Sequence, residues 1–262
     1  ELMDKRGAVV IYEHPVEPRP ARTLMNPLYI VFYDQVMKKG QDGPSYCVAF
    51  VFKTWDVYNS ARVQFNIVAE WVGRMDTTDG NHKIVMDMAD AYDAYVFPET
   101  NLEDFERYAT QVNKYHWLHP MPGEIVDGIV KKGKHYEIGL KIVPGMIPTL
   151  RTYLSEVLST VTRVKQEING DTYTVKEIRM AQEMKSKRGL EEIQAYNETD
   201  NFDYVSAMLL LGAWAKATVL KAEYKSKDDS ISRAEQEYRE QVMNKRPKPS
   251  LNQSSQNSAF NY

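Results

Sequence analysis

A chain of 262 residues, 43% apolar and 26% charged, is long enough for one large domain or two small ones with a substantial core, and its longest apolar run falls far short of the roughly 20 residues a membrane helix needs. One cysteine, Cys47, excludes an internal disulfide, fits a reducing compartment and reads as a small buried hydrophobe. The net charge of −3 argues against a simple nucleic-acid coating protein, and no signal-peptide architecture stands at the start. The chain opens on Glu1 without a methionine or a helix cap and is expected to be a fragment of something longer. Ala8 to Glu13 reads as a strand, and Pro15 to Pro27 as an extended connection. Leu28 to Tyr33, Tyr46 to Thr54 and Val63 to Val72 are strands of an antiparallel meander, with a turn over Lys38 to Pro44. Thr78 to Asp93 carries apolar residues at helical spacing, with Thr78 and Asp79 as candidate caps. Ala94 to Pro98 is the next strand and Leu102 to Lys114 the next helix, an alternation that points to a mixed α/β sheet.

From His116 to Pro148 short strands are punctuated by Gly and Pro, with a basic loop at Lys131 to His135. Ile147 to Thr160 is helical, and Val161 to Ile178 is a hairpin turning at Asn169-Gly170. Gly189 to Tyr196 is a short helix. Phe202 to Tyr224 is a long one, so apolar to Leu220 that it must be buried. Ser230 to Asn244 reads as a polar helix, and the last 18 residues have the composition of a disordered tail. There is no phosphate loop, no dinucleotide-binding glycine motif and no zinc spacing, so this segment is not expected to bind ATP or a dinucleotide by itself.

Three acids stand where apolar stretches end: Asp34 after Leu28-Tyr-Ile-Val-Phe-Tyr, Glu99 after Ala94-Tyr-Val-Phe-Pro, and Asp203 at the start of the long apolar helix. Each alone is equally well a turn or cap residue. Together they fit a metal site. Carboxylates at neighbouring strand ends and at a helix start can converge, hard divalent cations take oxygen ligands, and two such ions roughly 3.5–4 Å apart cleave phosphodiesters. The charge is also uneven. Arg107 to Arg188 holds 14 Lys+Arg against 8 Asp+Glu, a balance of +6, which leaves −9 for the remainder. Candidate backbone-gripping residues are Lys131, Lys132 and Lys134 in the Gly-flanked loop, Arg163 and Lys165 on the hairpin, and Lys185, Lys187 and Arg188. A solvated surface role is the alternative for each.

The order of these pieces resembles a known family. A strand ending in Asp34, the meander segment Val68-Ala-Glu-Trp-Val-Gly-Arg74, Tyr92-Asp-Ala-Tyr-Val-Phe-Pro-Glu99-Thr-Asn101 and Tyr196-Asn-Glu-Thr-Asp-Asn-Phe-Asp203-Tyr-Val-Ser-Ala207 together resemble the C-terminal nuclease domain of the large terminase subunit of tailed bacteriophages. Gly7 to Glu13 is similar to the strand that leads there from the ATPase domain. The resemblance covers roughly residues 7 to 220 and implies an α/β fold: an RNase H-like mixed β-sheet flanked by helices, with an inserted β-hairpin and a C-terminal helical extension. It implies a leading strand and linker from a missing ATPase domain over 1–27, the nuclease domain over 28–224, a C-terminal helix over 225–244 and a disordered tail over 245–262. Asp34, Glu99 and Asp203 would be the catalytic metal ligands for two Mg²⁺ or Mn²⁺ ions, bound weakly without DNA. Many relatives have Asp-Pro where this chain has Asp34-Gln35, and paired aspartates where Phe202 precedes Asp203. A fourth ligand is therefore open, with Asp42 and Asp200 as candidates that are equally turn or cap residues. His116, His119 and His135 are expected to be structural or backbone-contacting rather than catalytic. The implied activity is cleavage of concatemeric double-stranded DNA during genome packaging, with an ATPase domain, the small terminase subunit and the portal as partners, no membrane, and the host cytoplasm as location. The alternatives are another RNase H-like nuclease of the resolvase type, or a non-enzymatic phage head–tail connector.

Overall fold

Residues 7–15, 27–36, 45–54, 66–102, 104–126, 129–131, 137–168, 171–197 and 202–224 are described by a computed structural model. The turn over 38–44, Asp42, Lys132, Lys134, His135, the Asn169-Gly170 turn, Asp200 and everything from 225 onward lie outside the described residues.

The meander forms as its β-branched and aromatic runs require. A short strand β1 (Val10–Ile11) is followed by β2 (Tyr29–Asp34), β3 (Cys47–Lys53) and β4 (Asn66–Gly73). β2, β3 and β4 pair antiparallel in succession, β1 adds antiparallel to the outer edge of β4, and β5 (Tyr95–Pro98) lies parallel to the other side of β2. The sheet order is β1-β4-β3-β2-β5. Every residue of β2, and all of β3 but Lys53, is buried, which is why these runs are apolar without alternation: both faces of the sheet are covered. Beyond β5 the chain continues the layer through isolated bridges, Val96 to Leu118, Glu99 to Leu140 and Pro120 to Ile138. The expected antiparallel meander and mixed sheet are present, with β5 as the parallel strand. The domain is α/β, a mixed five-stranded sheet flanked by helices.

One face packs on α1 (Thr78–Tyr92) and α2 (Asp104–Gln111). Tyr29, Val31 and Tyr33 meet Val85, Met88, Ala89, Phe105 and Ala109 there. α1 is capped one residue earlier than expected. Thr77, not Thr78 or Asp79, sits in extended backbone (φ −127°, ψ 150°), and its side chain accepts from the Gly80 N–H at 3.0 Å. A residue already inside the first helical turn has lost the extended backbone that lets a side chain reach that amide. Thr77→Ala is expected to cost about 1 kcal/mol of stability, read as a lower melting temperature with an unchanged spectrum.

The chain then forms two short strands, β6 (Glu124–Val126) and β7 (Ile129–Lys131), before the second helical layer. That layer contains α3 (Ile147–Ser159) and the last helix. Between them come a separate hairpin, β8 (Val161–Ile168) with β9 (Asp171–Arg179), and two short helices, α4 (Met180–Glu183) and α5 (Lys187–Ala195). The last helix, α6 (Asp203–Tyr224), lies against Ile30, Phe32, Phe50 and Phe97 on the sheet's other face, and Phe32 meets Trp214 edge to face at 6.0 Å. It is buried on nearly every side from Asp203 to Thr218, as its composition demanded. α3 crosses it where Gly212 lets the Leu154 backbone approach. Among the described residues no helix is long and apolar enough to cross a membrane.

Candidate metal centre

Strand periodicity decides which way the three acids point. Side chains alternate along β2, and Ile30 and Phe32 face α6, so Asp34 at the strand's end faces α6 as well. Phe97 in β5 also packs on that side, and Glu99 follows it two residues later. The Glu99 backbone N–H donates to the Tyr33 carbonyl at 2.8 Å, which continues the parallel pairing. Asp203 is the first residue of α6. Asp34 and Glu99 therefore lie on one side of the sheet at the ends of two adjacent strands, and Asp203 opens the helix that covers that side.

Asp34 and Asp203 are buried, and Glu99 is half-buried. Burial first, then the hydrogen bond with Glu99 and its charge, then the charge of Asp203, push the Asp34 carboxyl well above the usual carboxylate range. Burial raises Glu99 too, while hydrogen bonds from Asp34 and Asn101 pull it back. Two carboxyl groups this close and this buried resist ionising together when no cation is present.

Short polar ties hold the cluster in place. The Tyr46 N–H donates to Asp203 Oδ2 at 2.7 Å. Asn101 Nδ2 donates to Glu99 Oε1. Gln35 Nε2 donates to the carbonyls of both Glu99 and Leu102, each at 2.7 Å, and so straps the loop carrying Glu99 to the end of β2. A proline at position 35, as in many proteins of the resembled family, has no amide for this strap. Cys47 is buried nearby. Its sulfur receives the Val36 N–H at 3.5 Å and the Tyr33 hydroxyl at 3.8 Å. Burial, outweighing those two bonds and aided by the charges of Asp34 and Asp203, pushes its thiol up to about 11, so it stays a neutral packing residue.

A donor set of three carboxylates, two of them crowded together and raised by burial, has the chemistry a hard divalent cation takes. As the side chains stand, no three His, Cys, Asp or Glu groups among the described residues are close enough to enclose an ion. The chemistry fits, and the ring of ligands is open. His119 belongs to the packing. Its ring lies against Tyr95, Phe97 and Trp214, and its Nδ1–H donates to the Pro120 carbonyl at 2.6 Å. His116 lies in a short 3₁₀ turn, with its ring against Trp117.

Of the basic candidates, Arg188 is at the site. Its guanidinium lies over the Tyr46 ring at 5.2 Å, and its Nε donates to Glu192 Oε1 at 3.2 Å. Glu192 Oε2 in turn accepts the Tyr204 N–H at 2.8 Å in the first turn of α6. Lys187 is exposed on the same helix beside Glu191, and Lys185 is exposed just before it. Lys131 lies in β7, and Arg163 and Lys165 lie in β8 around a register irregularity, with only their backbone described.

Sequence reasoning did not single out Gln35 as a strap, Arg188 and Glu192 as neighbours of Asp203, or the buried Glu70 of β4. Glu70 left a signal, a charged residue inside an otherwise apolar strand.

Fold and site together define an α/β domain, a mixed sheet flanked by helices, with acidic residues at two strand ends and at the start of α6. No protein-family model matches the sequence, and no curated protein matches it. Among solved structures, the chain is similar to two of the large terminase nuclease from thermophilic phage G20c. The one with bound zinc is 12% identical with a TM-score of 0.46, and the one described without it is 12% identical with a TM-score of 0.43. In both cases 79% of this chain and 88% of that one are covered.

Proposed function

We propose that this chain is a divalent-metal-dependent DNA endonuclease, the nuclease domain of a phage large terminase that cuts concatemeric double-stranded DNA during packaging. The observation that carries the reading is the placement of Asp34 and Glu99 at the ends of adjacent strands on the face that α6 covers, with Asp203 in the first turn of α6. Asp34, Glu99 and Asp203 would hold two Mg²⁺ or Mn²⁺ ions, whose chemistry is to activate water for attack on phosphorus and to stabilise the leaving oxygen. The chain's own residues do the rest. Gln35 and Asn101 fix Glu99, the Tyr46 amide fixes Asp203, and Arg188 stands beside them to take a phosphate. Lys131, Lys132, Lys134, Arg163, Lys165 and Lys187 would grip the backbone without reading bases. In the packaging assembly an ATPase domain, the small terminase subunit and the portal would be its partners, in the host cytoplasm.

The test is incubation of the purified chain with supercoiled plasmid and Mn²⁺ or Mg²⁺, beside Asp34→Ala and Asp203→Ala. Nicking or linearisation that needs the metal and disappears in both folded variants supports the reading. Equal cleavage by all three proteins overturns it. Arg188→Ala is expected to weaken DNA binding and to reduce the salt slope by about 1, measured by fluorescence anisotropy across a salt series.

A further inference from the structure

Glu70 pairs opposite Phe50 of β3 and is only 7% exposed, so its carboxylate needs partners. It has one on each oxygen. The Tyr12 hydroxyl donates to Oε1 at 2.7 Å, and the Tyr204 hydroxyl donates to Oε2 at 2.6 Å. Such short bonds to an ionised acceptor are the stronger kind. Ser186, buried at the N-cap of α5, where its hydroxyl oxygen accepts the Gly189 N–H at 3.0 Å, lies beside both phenols.

Tyr204 is the chain neighbour of Asp203, and it is fixed at three points. Its hydroxyl is on Glu70, its ring stacks on Phe50 at 5.8 Å and 12°, and its backbone N–H is on Glu192. The remainder of α6 is anchored by its apolar surface and does not depend on this contact. What the contact governs is the rotation of the first helical turn, and with it where the Asp203 carboxylate lies.

We propose that Glu70, outside the acidic cluster, is a positioning residue that sets the place of Asp203 through Tyr204. The activity arm of its test rests on the proposed nuclease function, whereas the structural arm does not. Tyr12 makes the same carboxylate a tie to the segment just after β1, so the start of the domain and the start of α6 share one anchor.

The test uses Tyr204→Phe, Glu70→Gln and the double variant. The structural readout is hydrogen exchange of the Tyr46 amide, whose acceptor is Asp203. It is expected to accelerate roughly tenfold in each variant, while the Phe32 and Phe50 amides in the core keep their protection. An unchanged Tyr46 amide overturns the proposal, and so does general acceleration across the sheet, which marks a role in stability alone. In the nuclease assay kcat is expected to fall about 10- to 100-fold with KM for DNA unchanged, as for groups that orient metal ligands. The double variant is expected to be no worse than the poorer single variant, and additive losses overturn the shared pathway. If the unmodified chain does not cleave, or Asp34→Ala cleaves equally, the nuclease reading fails and the exchange experiment still decides the placement of Asp203.

Discussion

Asp34→Asn is expected to abolish cleavage and, in the absence of metal, to stabilise the fold above about pH 4. An ordinary aspartate in the unfolded chain titrates near 3.9. In the folded chain burial, Glu99 and Asp203 raise the Asp34 carboxyl well above that. Between those two values the folded chain holds a proton that the unfolded chain has released, so stability falls as pH rises through the window. Below it the group makes no difference, and above it the loss is complete. Each unit of elevation corresponds to about 1.4 kcal/mol. The amide introduced by D34N does not titrate and can still donate to Glu99, so the variant escapes the loss. Thermal melts at pH 4, 6 and 8 in EDTA are expected to show the variant pulling ahead of the unmodified chain as pH rises. Added Mn²⁺ is expected to reverse the order, because only the intact cluster gains a ligand-linked rise in melting temperature. A variant less stable than the unmodified chain at pH 8 in EDTA would sink this account of the cluster. For cleavage, we expect a loss of at least about 100-fold, comparable to removing a main electrostatic group from an active site.

Gly212→Val is expected to be strongly destabilising. A side chain at this position begins with a Cβ 2.8 Å from the Leu154 backbone nitrogen, 3.1 Å from its Cα and 3.2 Å from the Leu150 carbonyl oxygen. All three are backbone atoms of α3, so no rotamer relieves the clash and the two helices must part. Overpacking of this kind costs about 1–3 kcal/mol for an added methylene or two, and the branched side chain adds more volume than that. With roughly 2–4 °C per kcal/mol for a chain of this size, a 3 kcal/mol loss lowers the melting temperature by about 6–12 °C. Differential scanning calorimetry measures it directly. A melting temperature within a degree of the unmodified chain would contradict the close α3–α6 crossing.

Local signals carried much of the fold. β2 and β3 are legible as central strands because an unbroken apolar run is what a strand covered on both faces requires. The burial of α6 is legible because no exposed helix has that composition. The Asn169-Gly170 dipeptide calls for a hairpin, and β8 and β9 pair on either side of it. That Asp34 and Glu99 share a face follows from strand parity once β2 and β5 are neighbours, but that adjacency, like the place of Asp203 at the start of α6, is a tertiary fact. The less legible parts are contacts across long separations. Gln35 bonds to residues 64 and 67 positions away, and Tyr204 reaches Glu70 across 134. Arg188 reaches the Tyr46 ring, and Glu192 the Tyr204 amide, only because α5 packs by the first turn of α6. No periodicity encodes such pairings, since each depends on where two separately formed elements meet. The cap at Thr77 was missed for a smaller reason. Three consecutive candidates, Thr77, Thr78 and Asp79, offer the same side-chain chemistry, and only backbone angle separates them.

The β8–β9 hairpin leaves and rejoins the domain at a single point, where the Met180 N–H donates to the Thr160 carbonyl at 2.9 Å. Its two strands pair with each other rather than with the main sheet. An excursion closed at its base in this way is a modular accessory: evolution or an engineer can lengthen it, recharge it or exchange it without redrawing the path of the surrounding helices. Arg163 and Lys165 ride on that module. The charge of that excursion can thus be altered without disturbing the core that fixes the acidic residues on the sheet and α6.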